Sequence, residues 1–299
     1  MNWETELEGF RQYLKLQKGL SDNSIHAYVT DLKKVTDFLK LKGYNYKPEE
    51  VTLATLREMM TWITENGISP RTQARIISGI KSFYKYMMIE EKVDRDPTAL
   101  LEVPKVGRKL PEILTVEEVD MIINMIDTAR PEGRRNKAIV ETLYSCGLRV
   151  SELIELKVSN LFFEVGYIKI EGKGRKERLV PIGSRAIKEI NLYLSEYRRL
   201  LNICPGAEDI LFLNRRGNKL SRVMIFTIIK EATANCGITK NISPHTFRHS
   251  FATHLLSGGA NLRAVQEMLG HESIITTEIY THLDENYLKD TLNKYHPRS

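Results

Sequence analysis

The sequence has no run of about 18 apolar residues, so no membrane span is expected. Cysteine is scarce: Cys146, Cys204 and Cys236 are the only three, odd in number and far apart. That usage suits a reducing cytoplasm and supports neither a disulfide framework nor a paired zinc motif. The opening Met1-Asn-Trp-Glu-Thr-Glu6 has neither the basic nor the apolar region of a secretory signal, so a cytoplasmic location is expected. No Gly-x-x-x-x-Gly-Lys-Ser/Thr stretch occurs, which removes the phosphate loop of nucleotide hydrolases from consideration. Internal repeats and low-complexity tracts are absent as well.

What is present is an ordinary globular composition. The chain has 299 residues, 42% hydrophobic and 27% charged, enough for two domains with their own cores. Its net charge is +6, with a pI near 9.0. This permits nucleic-acid binding without establishing it, because an incidentally basic enzyme reads the same way. Up to Lys105 the two signs nearly balance, so most of the excess lies in the remainder.

The first part of the chain reads as helices with short breaks. Leu7, Phe10, Tyr13 and Leu14 keep helical spacing before Gly19. Ser21 caps a second helix striped by Ile25, Tyr28, Val29, Leu32, Val35, Phe38 and Leu39. Thr52 opens a third that stops near Gly67, and Ser69-Pro70 opens a fourth through about Ile89. Residues 1–96 therefore form a four-helix domain. Residues 97–111 contain Pro104, Pro111 and the cations Lys105, Arg108 and Lys109, and read as a basic linker. Residues 112–299 form a second domain with a C-terminal tail. Thr115 and Glu118 make a capping box for a helix through Ile126, and another helix runs from about Arg135 to Ser145 before Gly147. The period then changes to two: Tyr167 to Glu171 and Arg178 to Ile182 form a hairpin around Gly172-Lys173-Gly174, with 161–165 a candidate third strand. The fold class is mainly α with a small antiparallel sheet. Leu288, Leu292 and Tyr295 of the tail keep helical spacing and are expected to dock on a neighbouring protomer.

Five of the seven histidines lie between Ser243 and His282. Breaking a phosphodiester calls for such a concentration of donors, since the negative phosphate must be surrounded by cations as charge builds in the transition state. His245 and Arg248 stand three apart, on one face of a helix. A guanidinium is planar and permanently charged, and holds two phosphate oxygens at once. Arg149, following a helix-ending Gly147, offers the same fork from another element. Glu152 shares its helical face, either as an orienting partner or as a solvated ion pair. Lys173 sits at a hairpin tip between glycines that let the backbone approach a ligand closely, with Arg175 and Lys176 as competing cations. A phenol near the chain end is a candidate nucleophile.

Together, Cys146-Gly-Leu-Arg149-Val-Ser-Glu152-Leu, Ser243-Pro-His245-Thr-Phe-Arg248-His249, Gly270-His271 and Ile279-Tyr280-Thr-His282 resemble the motif boxes of the tyrosine recombinase (phage-integrase) family. The likeness is greatest to the Xer-type site-specific recombinases, and it spans nearly the whole chain. It implies a SAM-like DNA-binding first domain and a mixed α/β catalytic second domain. It assigns Arg149 and Arg248 as the catalytic arginines, Glu152 as their acidic companion and Lys173 as general acid to the leaving 5′ oxygen. His271 would donate to the scissile phosphate, and Tyr280 would be the nucleophile of a 3′-phosphotyrosine ester. His245 would accept the phenol proton or donate to a non-bridging oxygen. His249 and His254 are expected to be structural.

The implied reaction needs no cofactor and no metal. Its implied partner is duplex DNA carrying a specific recombination site, bound by a tetramer of this chain alone or with a paralogous recombinase. An activating DNA translocase is compatible with the same resemblance. Arg71 and Arg75, with the linker cations, are candidate DNA contacts. The biological role implied is chromosome dimer resolution and segregation; a minimal-size integrase of a mobile element has the same chemistry, as does a type IB topoisomerase. Two rival classes remain to be weighed. His245-x-x-x-His249 has zinc-ligand spacing, but the position a zinc protease gives to its general-base Glu is Thr246. A non-catalytic DNA-binding protein could use helices near 262–269 and 274–280 as a helix-turn-helix, which leaves Arg149, Lys173 and Tyr280 unexplained as a set.

Overall fold

Four side-chain caps set the start of each helix in the first part of the chain. Asn2, Ser21, Thr52 and Ser69 each accept a hydrogen bond from a backbone N–H two or three residues on. They open α1 (Trp3–Leu16), α2 (Asp22–Leu41), α3 (Leu53–Glu65) and α4 (Pro70–Ile89). Such caps satisfy donors that a helix cannot pair internally. The computed structural model describes residues 2–104, 107, 112–130, 132–172, 176–234, 236–270 and 285–298. The chain divides into two units, Met1–Lys109 and Leu110–Ser299.

In the first unit Phe10, Leu32, Phe38, Ile63, Ile76, Ile80 and Phe83 are wholly buried. Among the charged groups, Asp31 of α2 lies beneath the surface with 1% exposure and accepts from Arg75 of α4 at 2.6 Å.

The second unit is built around α6 (Gly133–Cys146), in which every residue from Ala138 to Cys146 is buried. A helix buried on all faces is a central one. Before it, α5 (Val116–Asn124) starts at the Thr115/Glu118 capping box and stops two residues short of the expected Ile126. After it come α7 (Val150–Ile154) and the strands β1 (Leu161–Phe162), β2 (Tyr167–Glu171) and β3 (Glu177–Pro181). The sheet is antiparallel in the order β1-β2-β3, with Ile168 opposite Val180 and Ile170 opposite Arg178. Then follow α8 (Ser184–Glu196), α9 (Arg222–Ala234), α10 (Pro244–Gly258), α11 (Leu262–Leu269) and α12 (Glu285–Tyr295). The molecule is thus mainly helical with a small antiparallel sheet. No helix among the described residues is long and apolar enough to cross a membrane.

The tail packs differently from expectation. Leu288 and Leu292 of α12 are 4% and 1% exposed, inside the core of their own chain rather than free for a neighbour. Buried ion pairing fixes this arrangement: Arg298 donates to Glu141 of α6 at 2.6 Å and to Asp120 of α5.

Candidate active site

The site begins where α6 ends. Gly147 closes that helix in the left-handed region at φ 59°, and a Cβ there would lie 2.5 Å from Phe251 Cδ1 of α10. Glycine is therefore required twice over, by conformation and by space. The chain turns and presents Arg149 as the N-cap of α7, with Glu152 at the third helical position. Glu152 Oε2 accepts the Arg149 backbone N–H at 2.8 Å, and its Oε1 accepts Arg149 Nη1 at 2.8 Å. The carboxylate thus caps the helix and aims the guanidinium.

A second arginine completes the shell of Glu152. Arg178 of β3 donates from Nη1 to Oε1 at 2.9 Å and from Nη2 to Oε2 at 3.0 Å, a two-pronged pair. Arg248 Nη1 of α10 stands 3.9 Å from Oε2. Glu152 is 3% exposed on its side chain. Burial by itself would raise its pKa, but the hydrogen bonds and charge of Arg178, with those from Arg149, hold the carboxyl below its ordinary value.

All three guanidiniums also reach the end of α11. Arg178 Nε donates to Met268 O at 3.1 Å, Arg248 Nη2 to Leu269 O at 2.6 Å and Arg149 Nη2 to Gly270 O at 3.0 Å. Three consecutive carbonyls, which a helix C-terminus leaves unpaired and partly negative, are thereby satisfied by three cations. Gly270 ends α11 at φ 63°, and a Cβ there would meet Arg178 Nε at 3.0 Å. Arg248 also donates to Gly147 O at 2.6 Å, tying α10 to the α6 terminus. Burial, followed by the charge of Arg149, lowers the Arg248 pKa to about 10, which leaves it cationic at neutral pH.

Of the residues singled out from the sequence, Arg149, Glu152 and Arg248 are brought into one cluster. His245 is exposed, three residues before Arg248 on α10. His254 pairs through Nδ1 with Tyr144 Oη at 2.7 Å, bridging α10 to α6 as a structural histidine would. Arg71 is exposed in the first turn of α4, whereas Arg75 is engaged by Asp31. Lys173, His271, Tyr280, Lys105, Arg108 and Lys109 lie outside the described residues. Among the described residues, no three His, Cys, Asp or Glu side chains are grouped as a metal ion would require.

Arg178 was not singled out, although the strand period carried a signal. In an antiparallel pair, opposed residues share a face, and alternation along β3 puts Arg178 with Val180 on the side of the buried Ile168 and Ile170. An arginine on the inner face of a strand needs a buried anion. Chemically, the cluster is three guanidiniums around one carboxylate, a surplus of positive charge suited to an oxyanion.

Comparison with known proteins agrees with this geometry. Residues 112–287 match the phage integrase family, and residues 7–91 match the phage integrase N-terminal SAM-like domain. A tyrosine recombinase XerD of Staphylococcus saprophyticus is 40% identical over 296 residues, covering 99% of this chain and 100% of the relative. The tyrosine recombinase XerD of Chlorobaculum tepidum is 42% identical over 299 residues, covering 99% and 97%. The fold is similar to that of the XerH site-specific recombinase in a post-cleavage complex with its palindromic difH substrate. That likeness has a TM-score of 0.71 at 23% identity, over 89% of this chain and 78% of the other. With both units matched and the similarity running end to end, the chain belongs to the phage integrase family of tyrosine recombinases.

Proposed function

We propose that the protein is a site-specific DNA recombinase that cleaves and rejoins duplex DNA through a 3′-phosphotyrosine intermediate and a four-way junction, serving chromosome dimer resolution and segregation. The observation that carries this reading is the charge surplus at Glu152, where Arg149, Arg178 and Arg248 converge on one buried carboxylate. In this reading Arg149 and Arg248 hold the non-bridging oxygens of the scissile phosphate and stabilise the pentacoordinate transition state. Tyr280 Oη attacks phosphorus, the bond to the 5′ oxygen breaks, His245 takes the phenol proton and Lys173 protonates the leaving oxygen. His271 donates to a non-bridging oxygen. The ester conserves the energy of the broken bond, so the free 5′-hydroxyl of another strand reverses the step without ATP.

The helical unit and the catalytic unit both contact the duplex, joined by residues 97–111 as a basic linker. Lys105, Arg108, Lys109 and Arg71 add phosphate contacts, which makes affinity fall with salt. The working assembly is a tetramer on two sites, formed by this chain or shared with a paralogue, with a DNA translocase as a further candidate partner. The test is covalent trapping in EDTA on nicked suicide duplexes that carry candidate chromosomal sites. Wild type is expected to give an adduct stable to denaturing electrophoresis, and Tyr280→Phe to bind equally and give none. An adduct from Tyr280→Phe would mean a different nucleophile.

A further inference from the structure

Arg178 has a place in this reaction that its distance from the motif boxes conceals. An ionised carboxylate offers about four lone-pair sites, and at Glu152 four are taken. Oε1 accepts from Arg149 Nη1 and Arg178 Nη1, while Oε2 accepts from the Arg149 backbone N–H and Arg178 Nη2. Arg248 stands 3.9 Å from Oε2 and directs its hydrogen bonds to the Gly147 and Leu269 carbonyls instead. The three arginines are therefore unequal. The Nη1–Nη2 edge of Arg178 is occupied by the two oxygens of Glu152 and its Nε by Met268 O, so it cannot grip a phosphate through that edge without releasing the carboxylate. Its side chain is 16% exposed, between 38% for Arg149 and 10% for Arg248.

Resting on the recombinase reading above, we propose that Arg178 is a positioning residue for phosphoryl transfer: it saturates Glu152, so that the carboxylate aims Arg149 without capturing Arg248. Without Arg178, one lone pair on each oxygen opens beside a guanidinium already within 4 Å. Arg248 would close on Glu152, and one cation of the three would be gone. The phosphate would then meet a cluster with half its net surplus. Arg178 also fastens β3, and with it the paired β2, to the end of α11.

A charge-based role and a merely architectural one respond differently to substrate charge. Suicide duplexes are made with either a natural phosphodiester or a neutral methylphosphonate at the scissile position, and single-turnover adduct formation is followed on both. Arg178→Ala is expected to slow the phosphodiester by roughly 10- to 100-fold, the scale of losing transition-state charge stabilisation. The methylphosphonate, which asks for less neutralisation, should slow by no more than about 3-fold. Adding Glu152→Gln to Arg178→Ala should recover part of the phosphodiester rate, because the neutral amide does not capture Arg248. Equal slowing on both substrates, or no recovery in the double variant, would overturn the proposal. Should Arg178→Ala not fold, Arg178→Lys with and without Glu152→Gln carries the same comparison, since one ammonium cannot fill both oxygens. No adduct from wild type on the phosphodiester would instead overturn the recombinase reading, and this proposal with it.

Discussion

Among the described residues of the catalytic unit, two arginine–carboxylate clusters each enclose a buried glutamate, and their difference separates architecture from chemistry. At the tail, Arg298 pairs with Glu141 and Asp120, and Arg185 stands 3.6 Å from Asp120, so two cations face two anions. At the α6–α7 turn, three arginines face Glu152 as the one carboxylate among the described residues. Burial does not distinguish them, since Glu141 is 1% exposed and Glu152 5%. Their acidities nevertheless move in opposite directions. Burial dominates at Glu141 and raises its pKa despite Arg298, whereas the donors around Glu152 outweigh burial and lower it. A balanced buried cluster has no call on an outside ion. An unbalanced one is held together by its carboxylate and helix carbonyls, and retains an attraction for an anion from outside.

The sharpest way to break that distinction is to remove one arginine from each cluster. Arg298→Ala leaves Glu141 buried without its partner, and is expected to cost about 3–5 kcal/mol of stability in urea unfolding. A loss below about 1 kcal/mol would put the tail pair in the class of surface ion pairs. Arg149→Ala should instead slow single-turnover cleavage by about 10²- to 10³-fold, equivalent to roughly 2.7–4 kcal/mol of transition-state stabilisation. Its effect on folding should stay within about 1 kcal/mol, because its side chain is 38% exposed and solvent screens its pairing. If Arg149→Ala unfolded the protein as readily as Arg298→Ala, charge surplus would not be what tells the clusters apart.

Much of the fold was legible because its signals are local. Ser21, Thr52, Ser69 and Thr115 cap helices through bonds spanning three residues, and each is the N-cap it was read to be. Gly147 and Gly172 likewise marked the end of α6 and the hairpin turn. The candidate site was legible in part: Arg149, Glu152 and Arg248 were marked by their boxes and do converge. Long-range polar pairing was hidden. Arg178 meets Glu152 across 26 residues, and Arg298 meets Glu141 across 157, separations over which periodicity does not name the partner. Arg75 shows the same limit in the helical unit. The buried Asp31 that engages it is 44 residues away. The tail stripe was visible as a helix, yet spacing alone does not say which chain's core a stripe enters.

Proton uptake sharpens the comparison with the smallest effect. His296 is 4% exposed, its ring 4.9 Å from that of Tyr144 and 5.2 Å from that of Phe251, and its Nδ1 accepts the Arg298 N–H at 3.1 Å. Burial first, then the charges of His254 and Arg298, lower its pKa to about 3. An unfolded histidine titrates near 6.5. The folded state therefore binds fewer protons, and the stability this group contributes is complete above about 6.5 and declines as the pH falls toward 3. Each pH unit in that window costs about 1.4 kcal/mol, so going from 6.5 to 5 should remove about 2 kcal/mol. His254, also lowered by burial, adds in the same sense, while Glu141, with its raised pKa, opposes it toward the acid end. Glu152 contributes nothing there, because a lowered carboxyl loses its stabilisation only below the ordinary carboxylate range. Urea unfolding of wild type and His296→Gln at both pH values checks this, with a distinctly shallower decline expected in the variant. Equal declines would remove His296 as the source of the loss.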